Sequence, residues 1–79
     1  MDFEIIGEIL ALEIIATGRG VHARHALNRI YGRGHGRKMK GIGLVRNRAG
    51  VMQRAEIHWY EAHGIGRRDF KIKRYVDRD

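Results

Sequence analysis

Between Ala55 and Tyr75 the chain spaces its reactive side chains by twos. In AEIHWYE, Glu56, His58 and Tyr60 alternate with Ile57 and Trp59, and in FKIKRYV, Lys71, Lys73 and Tyr75 alternate with Phe70 and Ile72. A strand sends successive side chains to opposite faces, so each segment divides into an apolar and a polar side. Paired as a hairpin with both apolar sides inward, the two segments present Glu56, His58, Tyr60, Lys71, Lys73 and Tyr75 on one outer face. That set suits metal-independent RNA cleavage, in which a base takes the proton of the ribose 2′-hydroxyl, a cation stabilises the phosphorane and an acid protonates the leaving oxygen. Glu56 and His58 are the candidate base or acid, and His63, in the Gly-containing segment that follows, is a second proton-transfer group. Arg67, Arg68, Lys71 or Lys73 would be the cation. Without catalysis the same residues make a stacking platform of Tyr60 and Tyr75 flanked by lysines. His beside Glu and Lys is also common on inert sheets, so the spacing alone leaves both readings open.

The charge pattern names a partner more firmly than it names a reaction. From Ile14 to Ala55 there is no Asp or Glu, while Arg19, Arg24, Arg29, Arg33, Arg37, Lys38, Lys40, Arg46, Arg48 and Arg54 follow one another. Asp2, Glu4, Glu8 and Glu13 precede this run, and all sixteen Lys and Arg come after residue 18, within a net charge of +7. A surface without internal counter-charge repels itself, and a polyanion relieves that repulsion. Nucleic acid is therefore the expected partner, RNA before DNA. The bland counterpart is a solvated basic surface with no partner.

At 79 residues the chain is one domain, residues 1–79, and a domain of this size buries only about 60% of its unfolded surface. The absence of Cys removes disulfides, Cys-type zinc sites and a thiol nucleophile. The apolar stretch from Ile5 to Ala16 is too short to span a bilayer, is broken by Glu8 and Glu13, and follows no basic leader. A soluble, unexported, cytoplasmic protein with no membrane partner is the expectation. No cofactor or metal is expected. His22 and His25 are three residues apart in a basic segment that repels a cation, and His58 and Glu61 fall on opposite faces of a strand.

Several elements must position these residues. DFEIIGEILALEIIATG is ambiguous by period, since Ile5, Ile9 and Leu12 would share a helical face; its β-branched density favours one or two strands between Phe3 and Thr17. VHARHALNRIY reads as a helix with Ala23, Ala26, Leu27, Ile30 and Tyr31 on its apolar face and Gly32 as its C-cap. GRGHGRKMKG reads as a basic loop able to mould around phosphates, without the glycine spacing of a Walker A or dinucleotide motif. KGIGLVR, VMQRAEIHWYEA and FKIKRYV then form a three-stranded meander, with a turn at Asn47 to Gly50 and a loop over AHGIGRRD. Gly41 and Gly43 weaken the first of these strands and mark a bulge. The scheme is β(β)αβββ, an α+β domain with one helix packed on an antiparallel sheet and Trp59 in its core.

RAEIHWYEAHGIGRRDFKIKRYVD, with the preceding RKMKGI, resembles the C-terminal half of a family of small bacterial proteins sharing the HWYEAHGIG and FKIKRY text. That likeness implies no activity by itself. In size, basic charge and element order the chain is also loosely similar to RelE-like and barnase-like ribonuclease toxins, from which its single helix and long Gly-rich loop depart. The toxin likeness implies a metal-independent endoribonuclease with an acidic antitoxin partner.

The leading expectation is an RNA-binding module making backbone-directed contacts through Arg24, Arg29, Arg33, Arg37, Lys38, Lys40, Tyr60, Lys71, Lys73 and Tyr75. Two others stand beside it. One is the ribonuclease built on Glu56, His58, His63, Arg67 and Lys73. The other is an interaction domain whose acidic, Ile-rich N-terminus pairs with a second copy or another partner.

Overall fold

The Ile-rich opening and the three alternating segments all become strands. In a computed structural model describing residues 2–17, 29, 31 and 36–76, β1 (Phe3–Thr17), β2 (Arg37–Asn47), β3 (Met52–Ala62) and β4 (Gly66–Tyr75) form one antiparallel sheet in the order β1-β2-β3-β4. β1 spans the whole segment from Phe3 to Thr17 that β-branched density marked as strand. The Asn47–Gly50 turn also forms where expected. Asn47 Oδ1 accepts hydrogen bonds from the backbone N–H groups of Ala49 at 2.9 Å and Val51 at 3.0 Å, and Gly50 takes the positive φ of 85° that the reversal requires.

The α+β expectation is corrected: among the described residues the architecture is an all-β, four-stranded antiparallel sheet. Of the segment expected as helix only Arg29 and Tyr31 are described; residues 21–28 and 30 lie outside the described residues. Arg37, Lys38 and Met39, read as loop, belong to β2, and Gly66 to Asp69, read as loop, begin β4.

β1 does the covering that was assigned to a helix. Its register against β2 shifts between Ile6 and Leu10, between Leu10 and Glu13, and between Ile14 and Ala16, with positive φ at Gly7 (74°) and Ala11 (54°). Bulges bend a strand and sharpen its twist. The bent β1 lowers Ile9 onto the sheet, where it is buried with Met39, Val45, Ala55, Ile57 and Trp59. Phe3, Ile5, Phe70 and Ile72 pack around that cluster. Gly41 and Gly43 allow this approach, and the irregularities they mark fall opposite them, with the extra residues in β1. A Cβ on Gly41 would stand 2.5 Å from Ile9 Cγ2 and 2.9 Å from the Leu10 carbonyl oxygen, and one on Gly43 would stand 3.1 Å from Ile57 Cδ1.

The two edge strands approach each other over this apolar side. Ile5, Ile9 and Leu12 of β1 share a groove of about 610 Å³ with Arg67 and Phe70 of β4. The sheet is therefore curled, its core on the concave face and its polar set on the convex one. Beyond Ile9, β1 leaves Leu10, Leu12, Ile14 and Ile15 exposed. Among the described residues no helix is long and apolar enough to cross a membrane.

Candidate nucleic-acid interface

The hairpin turn sets the register of β3 against β2 without interruption, from Arg46 opposite Met52 to Arg37 opposite Glu61. On the convex face this places Lys38 opposite Tyr60, Lys40 opposite His58 and Leu44 opposite Arg54. On the other side of β3, Lys71 lies opposite His58, Arg68 opposite Tyr60 and Arg74 opposite Glu56. Glu56, His58 and Tyr60 thus form a central row, His58 and Tyr60 bracketed by cations from both neighbouring strands and Glu56 by Ile42 of β2 and Arg74 of β4.

Two irregularities in the pairing of β3 with β4 decide which β4 residues join that row. The first lies between His58 and Tyr60, where Asp69 takes a positive φ of 57°, and it brings Lys71 and Arg68 onto the convex face. The second, between Glu56 and Ile57, leaves Lys73 without a direct partner and puts Arg74 opposite Glu56 and Tyr75 opposite Ala55. The expected outer face is corrected accordingly. Glu56, His58, Tyr60 and Lys71 assemble, whereas Lys73 sits in the bulge and Tyr75 belongs to the other side. A platform of Tyr60 with Tyr75 does not form. Tyr60 instead has the Lys38 ammonium over its ring, 5.6 Å from the centroid.

Glu56 and His58 meet directly, His58 Nε2 lying 2.7 Å from Glu56 Oε2. The other carboxylate oxygen accepts a hydrogen bond from Arg74 Nε at 3.0 Å. The hydrogen bonds from His58 and then Arg74 hold the Glu56 carboxyl below the usual carboxylate range. An ionised carboxylate only accepts, so the neutral imidazole places its proton on Nε2 and its lone pair on Nδ1. That Nδ1 is buried and has no hydrogen-bond partner among the described residues.

The remaining catalytic candidates are elsewhere. His63 is exposed in the turn after β3, five residues beyond His58, or roughly 16 Å along an extended strand, and no hydrogen bond joins it to Glu56 or His58. Arg67 lies opposite Glu61 on the concave side, its guanidinium 5.1 Å from the Trp59 ring centroid and its Nε 3.5 Å from Glu61 Oε1. Trp59 is buried as expected, stacks on Phe70 at 5.7 Å and donates its indole N–H to Glu61 Oε1 at 2.6 Å. Arg37 Nη2 reaches Glu61 Oε2 at 2.7 Å. Burial works to raise the Glu61 carboxyl, but the Arg37 and Trp59 hydrogen bonds outweigh it and leave it below the ordinary range.

Many cations of the acid-free run find acids after all. Arg46 binds Glu4 at 2.6 Å and Lys40 lies 3.6 Å from Glu13 across the pairing of β1 with β2, Arg48 binds Asp2 at 3.1 Å just beyond its end, and Arg37 takes Glu61 from β3. Among the described residues Lys38, Arg54, Arg68, Lys71 and Lys73 make no ion pair. Arg29 is exposed, and Arg24 and Arg33 lie outside the described residues.

Of the contributors to the polar face, Arg74 escaped the sequence reading. Arg74 was invisible because nothing local announces the bulge that rotates it. The placement of Lys40 beside His58 was available, since counting outward from the Asn47–Gly50 turn pairs the two. Tyr31, expected on a helix face, is buried against Ala16, Tyr60 and Ala62, with its hydroxyl 2.7 Å from the Tyr60 carbonyl oxygen. Burial pushes that hydroxyl's pKa up, with Arg68 opposing. Comparison of the chain with protein-family models, with curated proteins and with solved structures found no match.

Proposed function

We propose that the convex face of the sheet, with the β4 edge, binds a single-stranded nucleic-acid backbone, RNA before DNA. The observation supporting this is the separation of charge by partner. Among the described residues Lys38, Arg54, Arg68 and Lys71 on that face, and Lys73 in the adjoining bulge, make no ion pair, while Glu56 is already occupied by His58 and Arg74 and Asp69, between Arg68 and Lys71, is the one unpaired acid of β4. Phosphates would take the positions that internal acids leave open. Contacts of this kind are sequence-tolerant, and Tyr60, whose ring Lys38 overlies, adds a cationic and aromatic surface beside them.

The test is the salt dependence of binding to single-stranded RNA. Each phosphate neutralised contributes a slope of about −0.7 in log K against log salt. Replacing Lys71 and Lys73 together by Gln reduces the slope by about 1.4 if each holds one phosphate. A slope unchanged by that pair, or no salt dependence at all, rejects the assignment.

Metal-independent RNA cleavage is the second reading, favoured by one observation, the 2.7 Å contact of His58 with Glu56 between Lys40 and Lys71. A carboxylate that orients an imidazole is a common arrangement for a base, and the flanking ammonium groups suit a phosphorane. The burial of Nδ1 weighs against it, because the free lone pair of neutral His58 does not reach solvent without rotation of the ring. Cleavage predicts RNA cutting in EDTA that His58→Ala abolishes while binding persists; intact RNA at stoichiometric protein, with and without ribosomes, removes it.

A further inference from the structure

The groove between β1 and β4 has a chemistry that backbone binding on the convex face does not use. Its walls are Ile5, Ile9 and Leu12 on one side and Phe70 on the other, with Glu8 and Arg67 as its two charged groups. Gly7, at a φ of 74° and with no atom within 4 Å of where a Cβ would lie, keeps the β1 wall low. Glu8 is exposed and makes no hydrogen bond or ion pair among the described residues. Arg67 is held by Glu61 through its Nε and lies over Trp59, which leaves its terminal N–H groups available as donors. The volume, about 610 Å³, lies within the range of small-molecule sites.

We infer that this groove takes an unpaired nucleobase, with guanine as the best-matched base. Resting on the nucleic-acid reading, the inference adds base recognition to contacts that are otherwise blind to sequence. The carboxylate of Glu8 opposes a phosphate, and a purely apolar ligand would leave Glu8 and Arg67 without a polar partner. A base satisfies both demands, because its faces are flat and apolar against Phe70 and the aliphatic wall while its edges are polar. Guanine offers adjacent N–H donors on one edge to a carboxylate and the O6 and N7 acceptors on another to an arginine. Uracil has no amino group to offer Glu8.

The β4 edge supplies the route between the two sites. Arg68 and Lys71 lie on the convex face, Lys73 in the bulge and Arg67 in the groove, so cations line both sides of one strand. A single strand held by Arg68 and Lys71 passes over this edge with a base turned into the groove.

The probes are free nucleosides, which carry no phosphate, followed by backbone amide shifts in NMR spectra of the full chain. Guanosine should shift Gly7, Ile9 and Phe70 saturably while leaving Lys38 and Lys71 in place, and uridine should bind about tenfold more weakly. Glu8→Gln, at an exposed position without a partner, should keep the fold and erase most of that preference; Phe70→Leu should weaken all nucleosides. An abasic oligonucleotide should shift Lys71 and spare the groove, which tests the backbone reading separately. Absence of saturable nucleoside shifts in the groove, equal affinity for guanosine and uridine, or a preference unchanged in Glu8→Gln each overturns the inference, whether or not the abasic strand binds.

Discussion

β2 and β4 flank the same strand and are both basic, yet their cations end in different states. β2 contains Arg37, Lys38, Lys40 and Arg46, of which all but Lys38 are ion-paired, two of them to the acids of β1. β4 contains Arg67, Arg68, Lys71, Lys73 and Arg74, and only Arg67 and Arg74 meet a carboxylate. The difference follows from position. β1 lies beside β2 and brings Glu4 opposite Arg46 and Glu13 opposite Lys40, whereas β4 is the far edge and receives acids only from β3. A run of like charge in sequence is therefore a poor map of free charge on a surface. Within β2 the acids of β1 neutralise Lys40 and Arg46, whereas Arg68, Lys71 and Lys73 of β4 meet no carboxylate among the described residues.

The strongest way to break this contrast is to keep β1 from closing on β2. Gly41→Ala puts a methyl group 2.5 Å from Ile9 Cγ2 and 2.9 Å from the Leu10 carbonyl oxygen. Overpacking of this kind costs about 1–3 kcal/mol, with the upper end expected because one neighbour is backbone. Chemical denaturation measures it; a stability equal to wild type would mean that β1 does not pack as described.

Next comes the carboxylate that the two halves share. Glu61→Ala removes the acceptor of Trp59, Arg37 and Arg67 at once, leaving the buried indole N–H unsatisfied, and should cost about 2 kcal/mol. Glu61→Gln, which keeps an acceptor for Trp59, should cost less. Glu56 and Glu61 both lose protons more easily in the folded chain than in the unfolded one. Their contribution to stability is thus fully present above the ordinary carboxylate value of about 4.3 and fades as pH falls through the lowered folded-state values. An acid titration of stability in Glu61→Gln should lose part of that slope; an unchanged slope assigns it to other groups.

Binding sharpens the comparison with a smaller effect. Lys71→Gln with Lys73→Gln should lower RNA affinity severalfold at moderate salt, while Arg46→Gln with Arg48→Gln, drawn from the neutralised region, should leave the salt slope within about 0.3 of wild type. Equal losses from both pairs would erase the distinction between β2 and β4. The smallest effect belongs to Glu4→Gln, which removes an exposed ion pair worth at most about 0.5 kcal/mol. A larger loss by thermal unfolding would show that Arg46 is held more tightly than a surface pair.

The legible and illegible parts of the fold divide along sequence distance. Asn47 and Gly50 announce a reversal in four residues, and from it the whole pairing of β2 with β3 can be counted, including Lys40 beside His58. The alternation in AEIHWYE places Trp59 inside and Glu56 and His58 outside, and both placements hold. The pairing of β1 with β2 was not legible, because the intervening segment sets no count and three irregularities within β1 shift the register. Among the described residues it is β1 that covers the core, which was illegible for a related reason. Ile9 fills that role only because Gly7 and Ala11 adopt positive φ and bend the strand, a departure that alternation does not encode.

For the candidate site, residue types and alternation by themselves determined that Glu56, His58 and Tyr60 would share a face, that Trp59 would oppose them, and that the chain would be rich in uncompensated positive charge. Which cations remain uncompensated was decided only in the tertiary structure, together with the exchange of Lys73 and Tyr75 for Arg74 and the groove between β1 and β4. Local patterns report the direction of a side chain because backbone geometry repeats every two residues along a strand. Ion pairs, bulges and curvature depend on which distant strand arrives alongside and in what register, and a single inserted residue reverses every side chain beyond it.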